Sequence, residues 1–353
     1  MAKVLVFSTQ LLNTGGIESH IFQFCKELSK QDHDIDLLVL NSKIESSKRN
    51  VITTFCRRVA FVNDIHSMKL KYFFVYFKIL FNKYDILYTN GQGNSIYFLS
   101  KLLRFKKHIH HHHTSGDVLD RKTWPVSYVK MMNSAHILIA CSQNNATQMS
   151  LFLERSVYTI PVFSRSINFE KTIIEKKSDI IHLGYYGRLI PEKGIPVLSQ
   201  LSIDKDCSNI TFHVWGEGKQ FNASYFKQPD SSIQFHGSFS TMDELHSVFN
   251  ILDGYLLLST HSEGLPVSLL EVMSAGLPWL STNKGGIPDL FIDDYNTRII
   301  DYQSSFDTIK RNVLGFAENI RQKKTDATLI KKHYQQKYST DRIIQEWNKM
   351  LSQ

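Results

Sequence analysis

Cysteine is scarce in this sequence, and long apolar runs are absent. The 353 residues include four cysteines with neither disulfide nor metal-ligand spacing, as expected of reduced cytosolic thiols: Cys25, Cys56, Cys141 and Cys207. No stretch of about eighteen uncharged apolar residues predicts a transmembrane helix. The N-terminal MAKVLVFSTQ is interpreted as a first strand and not as a signal peptide. These absences favour a cytoplasmic protein.

Repeats and low-complexity tracts are also missing, apart from one histidine-rich run, KKHIHHHHTSGD. Residues 108–113 of this run are all histidine except Ile109. The run follows a predicted strand, in which successive side chains point to opposite faces. No cysteine, aspartate or glutamate stands beside it at ligand spacing, so the sequence predicts no dedicated metal site here.

Charge is distributed unevenly along the chain, although its net value is only +8. Residues 1–165 contain 21 lysines and arginines against 11 aspartates and glutamates, whereas residues 166–353 contain 20 against 22. A chain of this length is expected to form two domains, and the charge difference indicates that they have different partners. The basic half suits nucleic acid, an anionic membrane or a lipid phosphate.

Strand-like and helix-like segments alternate from the N-terminus onward. KVLVFS at residues 3–8 is followed by a Gly-Gly loop, an amphipathic segment and a second apolar run, IDLLVL at residues 35–40. This alternation predicts an α/β fold with parallel strands and helices on both faces of the sheet.

Residues 66–83, HSMKLKYFFVYFKILFNK, are interpreted as a helix rich in aromatic residues and lysine. Such a helix is suited to a membrane interface. It is equally compatible with packing on the sheet, its lysine side chains extending to solvent.

The stretch from residue 255 to residue 289 carries the clearest chemical signal. A short apolar strand leads through a polar loop to a helix expected to begin near Pro266 and to end at Gly276. The start of a helix offers unpaired N–H groups and the positive end of the helix dipole, which together suit a phosphate. Glu263 and Glu271 flank this helix start, and carboxylates beside phosphate sites often bind sugar hydroxyls. The pattern therefore predicts a nucleotide-sugar pocket.

A second motif, GRLIPEKG at residues 187–194, follows another predicted strand. Arg188 offers a planar fork of donors to phosphate oxygens, and Lys193 offers a compact charge on a flexible stem. Both residues are predicted to neutralise a diphosphate.

These motifs, together with NTGGIESH and NKGGIPDL, resemble the retaining GT-B glycosyltransferases of glycosyltransferase family 4 (glycosyl transferases group 1). The resemblance implies an α/β GT-B fold with two Rossmann-like domains facing each other across a donor-binding cleft. It further implies an acceptor-side domain at residues 1–165 and a nucleotide-sugar-binding domain at residues 166–335. A last helix at residues 336–353 is expected to cross back to the N-terminal domain.

The resemblance also implies roles for individual residues. Those implied to be catalytic are His113, Glu263, Arg188 and Lys193, with His111 as the alternative histidine. Those implied to bind the donor are Gly15, Gly16, Gly187, Arg188, Lys193, Gly216, Glu263, Gly264, Leu265, Val267, Ser268 and Glu271. Glu263 is expected to bind donor-sugar hydroxyls and Glu271 the ribose, without a metal or other cofactor. Gly237 and Ser238 are implied to lie near the base.

The implied reaction transfers a hexosyl unit, with retention, from a UDP- or GDP-linked sugar to a saccharide or lipid-linked saccharide. Biosynthesis of a cell-surface polysaccharide or of lipopolysaccharide is the expected setting, in the cytoplasm and with peripheral membrane contact through the basic domain. No nucleic-acid partner is expected. Two departures from the family pattern are the crossover IPVFSRSIN, which lacks the usual Asn-Gly, and Thr297 in place of glycine.

Three other classes of protein share some of these features. A basic membrane- or nucleic-acid-binding module is suggested by the charge of the first half alone. A GT-B sugar-nucleotide epimerase would share the fold but matches the two motifs poorly. An NAD-dependent oxidoreductase requires G-x-G-x-x-G after the first strand, which NTGGIES lacks.

Overall fold

A computed structural model of the protein describes residues 2–12, 15–64, 82–169 and 179–352. The chain divides into two compact units. The first comprises Met1–Ser164 together with Thr340–Gln353, and the second comprises Arg165–Ser339.

The first unit contains a sheet of seven strands, all paired in parallel, in the order β3-β2-β1-β4-β5-β6-β7. This is the doubly wound order, in which the chain works outward from β1 and then reverses direction at β4. The strands are β1 (Lys3–Leu11), β2 (Asp34–Ser42), β3 (Arg58–Phe61), β4 (Lys83–Asn90), β5 (Arg104–His112), β6 (Ile137–Ala140) and β7 (Tyr158–Thr159).

Helices cover both faces of this sheet, which explains why β1 reads as a continuous apolar run. Val4 and Val6 pack in the core under one face, and Leu5 and Phe7 pack in the core under the other. The helices are α1 (Gly16–Ser29), α2 (Ser46–Phe55), α3 (Asn94–Leu102), α4 (Val118–Arg121), α5 (Val126–Ser134) and α6 (Gln143–Leu153). A 3-10 turn spans Val62–Asp64.

The second unit repeats this plan with a six-stranded parallel sheet in the order β10-β9-β8-β11-β12-β13. Its strands are β8 (Ile181–Tyr186), β9 (Ile210–Trp215), β10 (Ile233–Gly237), β11 (Gly254–Leu257), β12 (Trp279–Thr282) and β13 (Thr297–Ile300). Its helices are α7 (Ile195–Ser202), α8 (Met242–Ile251), α9 (Val267–Ala275), α10 (Phe306–Arg321) and α11 (Ala327–Lys337). Short 3-10 turns occupy Pro191–Lys193, Lys205–Cys207 and Ile287–Leu290.

The last helix, α12 (Thr340–Ser352), belongs to the first unit. Its Trp347 is fully buried, with its ring centroid 4.8 Å from that of Phe24. The sequence predicts that the segment crossing back begins at residue 336, whereas the segment that belongs to the first unit begins at Thr340. α11 continues to Lys337, and the Tyr338 hydroxyl donates to the carbonyl of Asp289, so these residues stay with the second unit.

The helix predicted over residues 66–83 lies outside the described residues up to residue 81, and Lys83 already begins β4. Among the helices that the structure describes, none has the length and apolar character needed to cross a membrane. The predicted α/β class with two doubly wound sheets is confirmed.

Candidate active site

The strand order of the second unit locates its binding crevice. In doubly wound sheets, ligands bind outside the carboxyl ends of the strands where the order reverses, here between β8 and β11. The loop after β8 carries GRLIPEKG, and the loop after β11 carries the first glutamate of the E-x7-E motif. The two loops are joined directly, because the carbonyl of Glu192 accepts hydrogen bonds from Thr260 N (2.8 Å) and Ser259 Oγ (3.2 Å). The two motifs therefore share one site.

Lys193 and Glu263 form an ion pair at this crevice, with both side chains largely buried. Ser259 Oγ donates a further hydrogen bond of 2.6 Å to the same carboxylate. Burial by itself raises the pKa of Glu263, but the charge and hydrogen bond of Lys193, helped by Ser259, outweigh burial and leave this pKa below its ordinary value. Glu263 is consequently an ionised hydrogen-bond acceptor at neutral pH.

Helix α9 begins immediately after this loop. Pro266 is its N-cap and Gly276 its left-handed C-cap, as the sequence predicted. The backbone N–H groups of Val267 and Ser268 lie in the first turn, where no intrahelical carbonyl is available to accept from them. Gly264 and Leu265 are buried in the loop that leads into the helix. The helix start is thus suited to an anion.

Glu271, one turn into α9, is held by two residues that the sequence did not single out for this role. Arg165 Nε lies 2.6 Å from its Oε1, and the Tyr186 hydroxyl lies 3.1 Å from its Oε2. Burial lowers the pKa of Arg165, but the Glu271 charge more than compensates and the pKa is raised. Arg165 stands in the crossover SRSIN, far from either motif, so no local pattern linked it to Glu271. Glu271, the residue expected to bind the ribose, is therefore held in a fixed orientation by other residues of the protein.

Gly187, Arg188 and Gly216 lie where β8 and β9 end. The side chain of Arg188 is exposed, and its carbonyl accepts from the Tyr185 hydroxyl at 2.9 Å. Gly216 has a φ of 140°, and a Cβ built there would lie 1.9 Å from the carbonyl oxygen of Gly187. Only glycine permits such close approach, so the two strand ends present bare backbone beside Arg188.

In the first unit, a Gly-Gly pair, Gly15 and Gly16, connects the loop after β1 to helix α1. Gly15 has φ 154° and ψ 163°, a conformation essentially restricted to glycine. A Cβ there would lie 2.1 Å from Glu18 Oε2, whose partner oxygen accepts from Leu12 N at 3.0 Å. Gly16 then begins α1. Gly15 is thus required by the way the chain enters this helix.

The histidine run divides between the two faces of β5, as strand alternation predicted. His108, His110 and His112 face one core. The Thr89 hydroxyl lies within hydrogen-bonding distance of His108 Nε2 (2.9 Å) and His110 Nδ1 (2.8 Å). The Tyr128 hydroxyl bridges His110 Nε2 (2.8 Å) and His112 Nδ1 (2.9 Å) in the same way. The remaining nitrogen, His112 Nε2, lies 3.2 Å from Asp120 Oδ2. Three of the five histidines are accordingly structural.

The other two, His111 and His113, face a cluster that also contains His20 from α1. One nitrogen of each ring lies within 4.8 Å of the other two. Cys141, which follows β6, places its Sγ 3.4 Å from His111 Nε2 and 3.6 Å from His113 Nδ1. Cys141 is distant from the run in sequence and becomes adjacent to it only because β5 and β6 pair, so no local pattern predicts this thiol.

The hydrogen bonds of His20 determine which of its ring nitrogens carries the proton. The backbone N–H of Phe163 donates to His20 Nδ1 at 3.1 Å, so the neutral ring carries its proton on Nε2. That nitrogen lies 2.9 Å from the Tyr88 hydroxyl, which in turn lies 3.3 Å from His111 Nδ1. His20 has no lone pair for a metal while the amide bond persists. The arrangement is a hydrogen-bonded relay.

His113 completes the cluster and follows the last residue of β5. Burial, reinforced by His111 and His20, lowers its pKa well below the ordinary value, so the ring is neutral. Its Nε2 is buried and has no hydrogen-bond partner within the part of the chain that the structure describes. A buried unpaired ring nitrogen calls for an external partner, such as a bound ligand or water.

Comparison with known proteins agrees with this geometry. The family description "Glycosyl transferases group 1" matches residues 164–336, and "Glycosyltransferase Family 4" matches residues 14–162. Together they span about nine tenths of the chain. The chain therefore belongs to the glycosyltransferases of the GT-B type.

Individual relatives are distant but similar over their whole length. An uncharacterized glycosyltransferase of Methanocaldococcus jannaschii is 26% identical, covering 99% of this chain and 98% of its own. The crystal structure of TarM from S. aureus has a TM-score of 0.76 at 14% identity, covering 100% of this chain and 99% of TarM. HepE of Anabaena, solved in complex with UDP-glucose, has a TM-score of 0.70 at 18% identity, covering 100% of both chains. At these identities, the two structures support the fold alone.

Proposed function

We propose that this glycosyltransferase is a retaining, metal-independent hexosyltransferase that uses a nucleotide-diphosphate sugar, UDP- or GDP-linked. Its acceptor is a saccharide or lipid-linked saccharide in the cytoplasmic synthesis of a cell-surface polysaccharide or of lipopolysaccharide. The observation that carries the proposal is the buried Lys193–Glu263 pair beside the start of α9, at the reversal point of the second sheet. It brings a cation, an ionised carboxylate and helix N–H groups into one crevice.

Departure of the nucleotide diphosphate is the step that needs stabilisation. An ammonium group has three donors, so Lys193 can keep Glu263 as a partner and still donate to a phosphate oxygen. Arg188 is exposed at the end of β8 and supplies a second cation. The N–H groups of Val267 and Ser268, at the positive end of the helix dipole, contribute further hydrogen-bond donors for the phosphate. Such preorganised charge is the usual way to stabilise a developing anion.

The sugar and ribose are assigned to the two glutamates. The ionised Glu263 accepts hydrogen bonds from donor-sugar hydroxyls. Glu271 already has two protein partners, but a carboxylate has about four lone-pair sites and can accept from a ribose hydroxyl as well. His113, with its unpaired Nε2, is assigned a hydrogen bond to the donor hexose.

HepE supports the choice of donor class, since it was solved with UDP-glucose and with UDP and glucose. The peripheral membrane contact expected from the basic first half is part of the proposal. A basic binding module is not expected to bind a nucleotide sugar at this site, and an epimerase is expected to convert the nucleotide sugar without an acceptor.

A thermal-shift screen with UDP, GDP, ADP, CMP and their common sugars, without added metal, tests the donor site. A nucleotide that binds the folded state raises the unfolding temperature as its concentration exceeds the dissociation constant. One diphosphate is expected to give a shift that Arg188→Ala and Glu271→Ala reduce, whereas Lys227→Ala, which changes an exposed lysine outside the motifs, leaves the shift unchanged. Absence of any shift, with salt-sensitive binding to nucleic acid instead, contradicts the transferase proposal.

The reaction itself is tested with the donor that this screen identifies. The anomeric configuration of the product, read by NMR, is expected to match that of the donor, and chelation of divalent metals is expected to leave the rate unchanged. An inverted product overturns the retaining assignment. An epimerised free sugar nucleotide, formed without any acceptor, favours the epimerase.

A further inference from the structure

Four helices of the first unit, α3 to α6, carry most of the large apolar side chains that this unit exposes. Seven of them, each at least 45% exposed, lie on α3 to α6: Phe98, Leu102, Val118, Leu119, Val126, Leu151 and Phe152. We refer to these seven residues as the α3–α6 face. A concentration of exposed apolar groups in one region marks an interaction surface, whereas single exposed residues do not.

The four helices are neighbours on one side of the first sheet. Buried residues of α3, α5 and α6 share a single core, to which Ile96, Tyr128 and Met149 belong. The Ser127 hydroxyl bonds the Asn94 side chain and so joins α5 to α3.

Two contacts connect α4 and α6 to the same group. The Arg121 guanidinium lies 4.7 Å from the ring centroid of Phe152, and the Trp124 ring lies 5.9 Å from that ring. These contacts place α4 beside α6, as the Ser127–Asn94 bond places α5 beside α3.

The charges among and beside these apolar groups are predominantly positive, although Asp117, directly before α4, and the exposed Glu154, directly after α6, are acidic. Within α3 to α6, Lys101 and Lys130 are exposed and Arg121 is partly exposed, while the remaining charged residue, Asp120, is buried. Asp120 is also bound to His112 and Thr114. Lys122, directly after α4, is exposed and adds a further cation. Bulky apolar side chains interspersed with lysine and arginine are characteristic of surfaces that lie in a membrane interface.

We propose that the α3–α6 face is the surface through which the protein docks on an anionic lipid bilayer. The inference rests on the membrane contact in the proposed function, and it is independent of the transfer chemistry. Phe98, Leu102, Val126 and Leu151 enter the boundary between headgroups and acyl chains, while the cations meet lipid phosphates.

A second copy of the chain is a poorer occupant of this face. Two such faces would bring like charges together, and lysine is depleted in protein interfaces. An anionic bilayer supplies both the apolar phase and the opposite charge.

Vesicle flotation with the full chain tests the proposal. Vesicles of phosphatidylcholine with phosphatidylglycerol are expected to bind the protein, vesicles of phosphatidylcholine alone are not, and binding weakens as salt rises. The double variant Phe98→Ser/Leu102→Ser is expected to lower the partition coefficient at least about tenfold. Lys101→Glu/Lys130→Glu is expected to lower it by roughly fivefold or more per lysine.

The matched control is Val51→Ser/Ile203→Ser, which removes two side chains of 48% and 47% exposure outside the α3–α6 face. It is expected to bind vesicles like the wild type. Equal loss in the control, no vesicle binding by the wild type, or a dimer that the Phe98→Ser/Leu102→Ser variant dissociates without lipid would each overturn the proposal. Nucleotide thermal shifts measured on the same variants are expected to be unchanged, which separates failure of the docking surface from failure of the donor site.

Discussion

Arg165 Nε lies 2.6 Å from Glu271 Oε1, joining two residues that are 106 positions apart in the chain. The carboxylate is almost fully buried, whereas 40% of the arginine side chain is exposed. Glu271 therefore depends on Arg165 for a charge partner that solvent cannot supply. This pair fixes the second glutamate of the E-x7-E motif in place.

Replacing Arg165 with alanine is expected to destabilise the protein by about 1–2 kcal/mol. Breaking a fully buried pair costs about 3–5 kcal/mol, but Arg165 is partly solvated and its contribution is correspondingly reduced. Urea unfolding measures the change. The double variant Arg165→Met/Glu271→Gln, which leaves no unpaired charge, is expected to recover part of the loss. An Arg165→Ala protein as stable as wild type would show that Tyr186 and solvent suffice for Glu271.

Replacing Lys193 with methionine is expected to change how stability depends on pH. In the wild type the folded pKa of Glu263 lies below its unfolded value of about 4.5, so its contribution is present above that pH and is lost as pH falls through the folded pKa. Without Lys193, burial dominates and the folded pKa rises above the unfolded one. The variant is then destabilised at neutral pH, by about 3 kcal/mol, and the gap to wild type narrows toward pH 4.

Urea unfolding at a series of pH values follows this gap. Lys193→Met/Glu263→Gln is the matched control, because it removes the titrating carboxylate and is expected to show a gap that stays constant from pH 7 down to about pH 5, above the unfolded pKa of glutamate. A pH-independent gap for Lys193→Met alone would mean that Glu263 is not held ionised by this lysine.

Helices, strands and helix ends could be predicted from the sequence because they depend on residues that are close together in the chain. The alternation of apolar runs and amphipathic segments predicted the two α/β units, and Pro266 and Gly276 marked the ends of α9. The two motifs that hold Lys193 and Glu263 follow β8 and β11, and parallel pairing of these strands brings them together. That juxtaposition follows from the doubly wound topology.

Contacts that depend on long-range packing were not readable. Arg165 reaches Glu271, and Cys141 reaches the histidine run, only after strands and helices from distant parts of the chain are assembled. No periodicity or spacing encodes such pairs. The same reason explains why the run suggested no thiol partner, although β5 and β6 pair directly.

The tautomer of His20 is a specific prediction of the relay. Long-range proton–nitrogen correlation NMR on protein with labelled histidine is expected to show the proton on Nε2, because Nδ1 accepts from the Phe163 amide. Tyr88→Phe is expected to leave this tautomer unchanged, since it removes only the acceptor of the Nε2 proton. Added Zn²⁺ is expected to leave the His20 signals in place. A proton on Nδ1, or a zinc-dependent shift of His20, would instead support a metal site in the cluster.

The buried histidines are expected to make the protein labile in mild acid. Burial lowers the pKa of His20 and His108 from 6.5 to about 3, and lowers those of His110, His111 and His113 well below 6.5. Below pH 6.5 these histidines are protonated in the unfolded chain but stay neutral in the folded chain, so the free energy of unfolding falls as pH decreases. Each such histidine contributes a slope of about 1.4 kcal/mol per pH unit until its folded pKa is reached.

Because the slopes of several such groups act in the same direction, the loss of stability below pH 6.5 is expected to be steep. Unfolding free energies from urea titrations between pH 7 and pH 5 are therefore expected to fall steeply. His108→Gln is expected to reduce that slope by one proton, whereas Thr89→Val removes a hydrogen-bond partner of His108 and lowers stability without removing a titrating group. If wild type and His108→Gln have the same slope, His108 is not kept neutral by the fold.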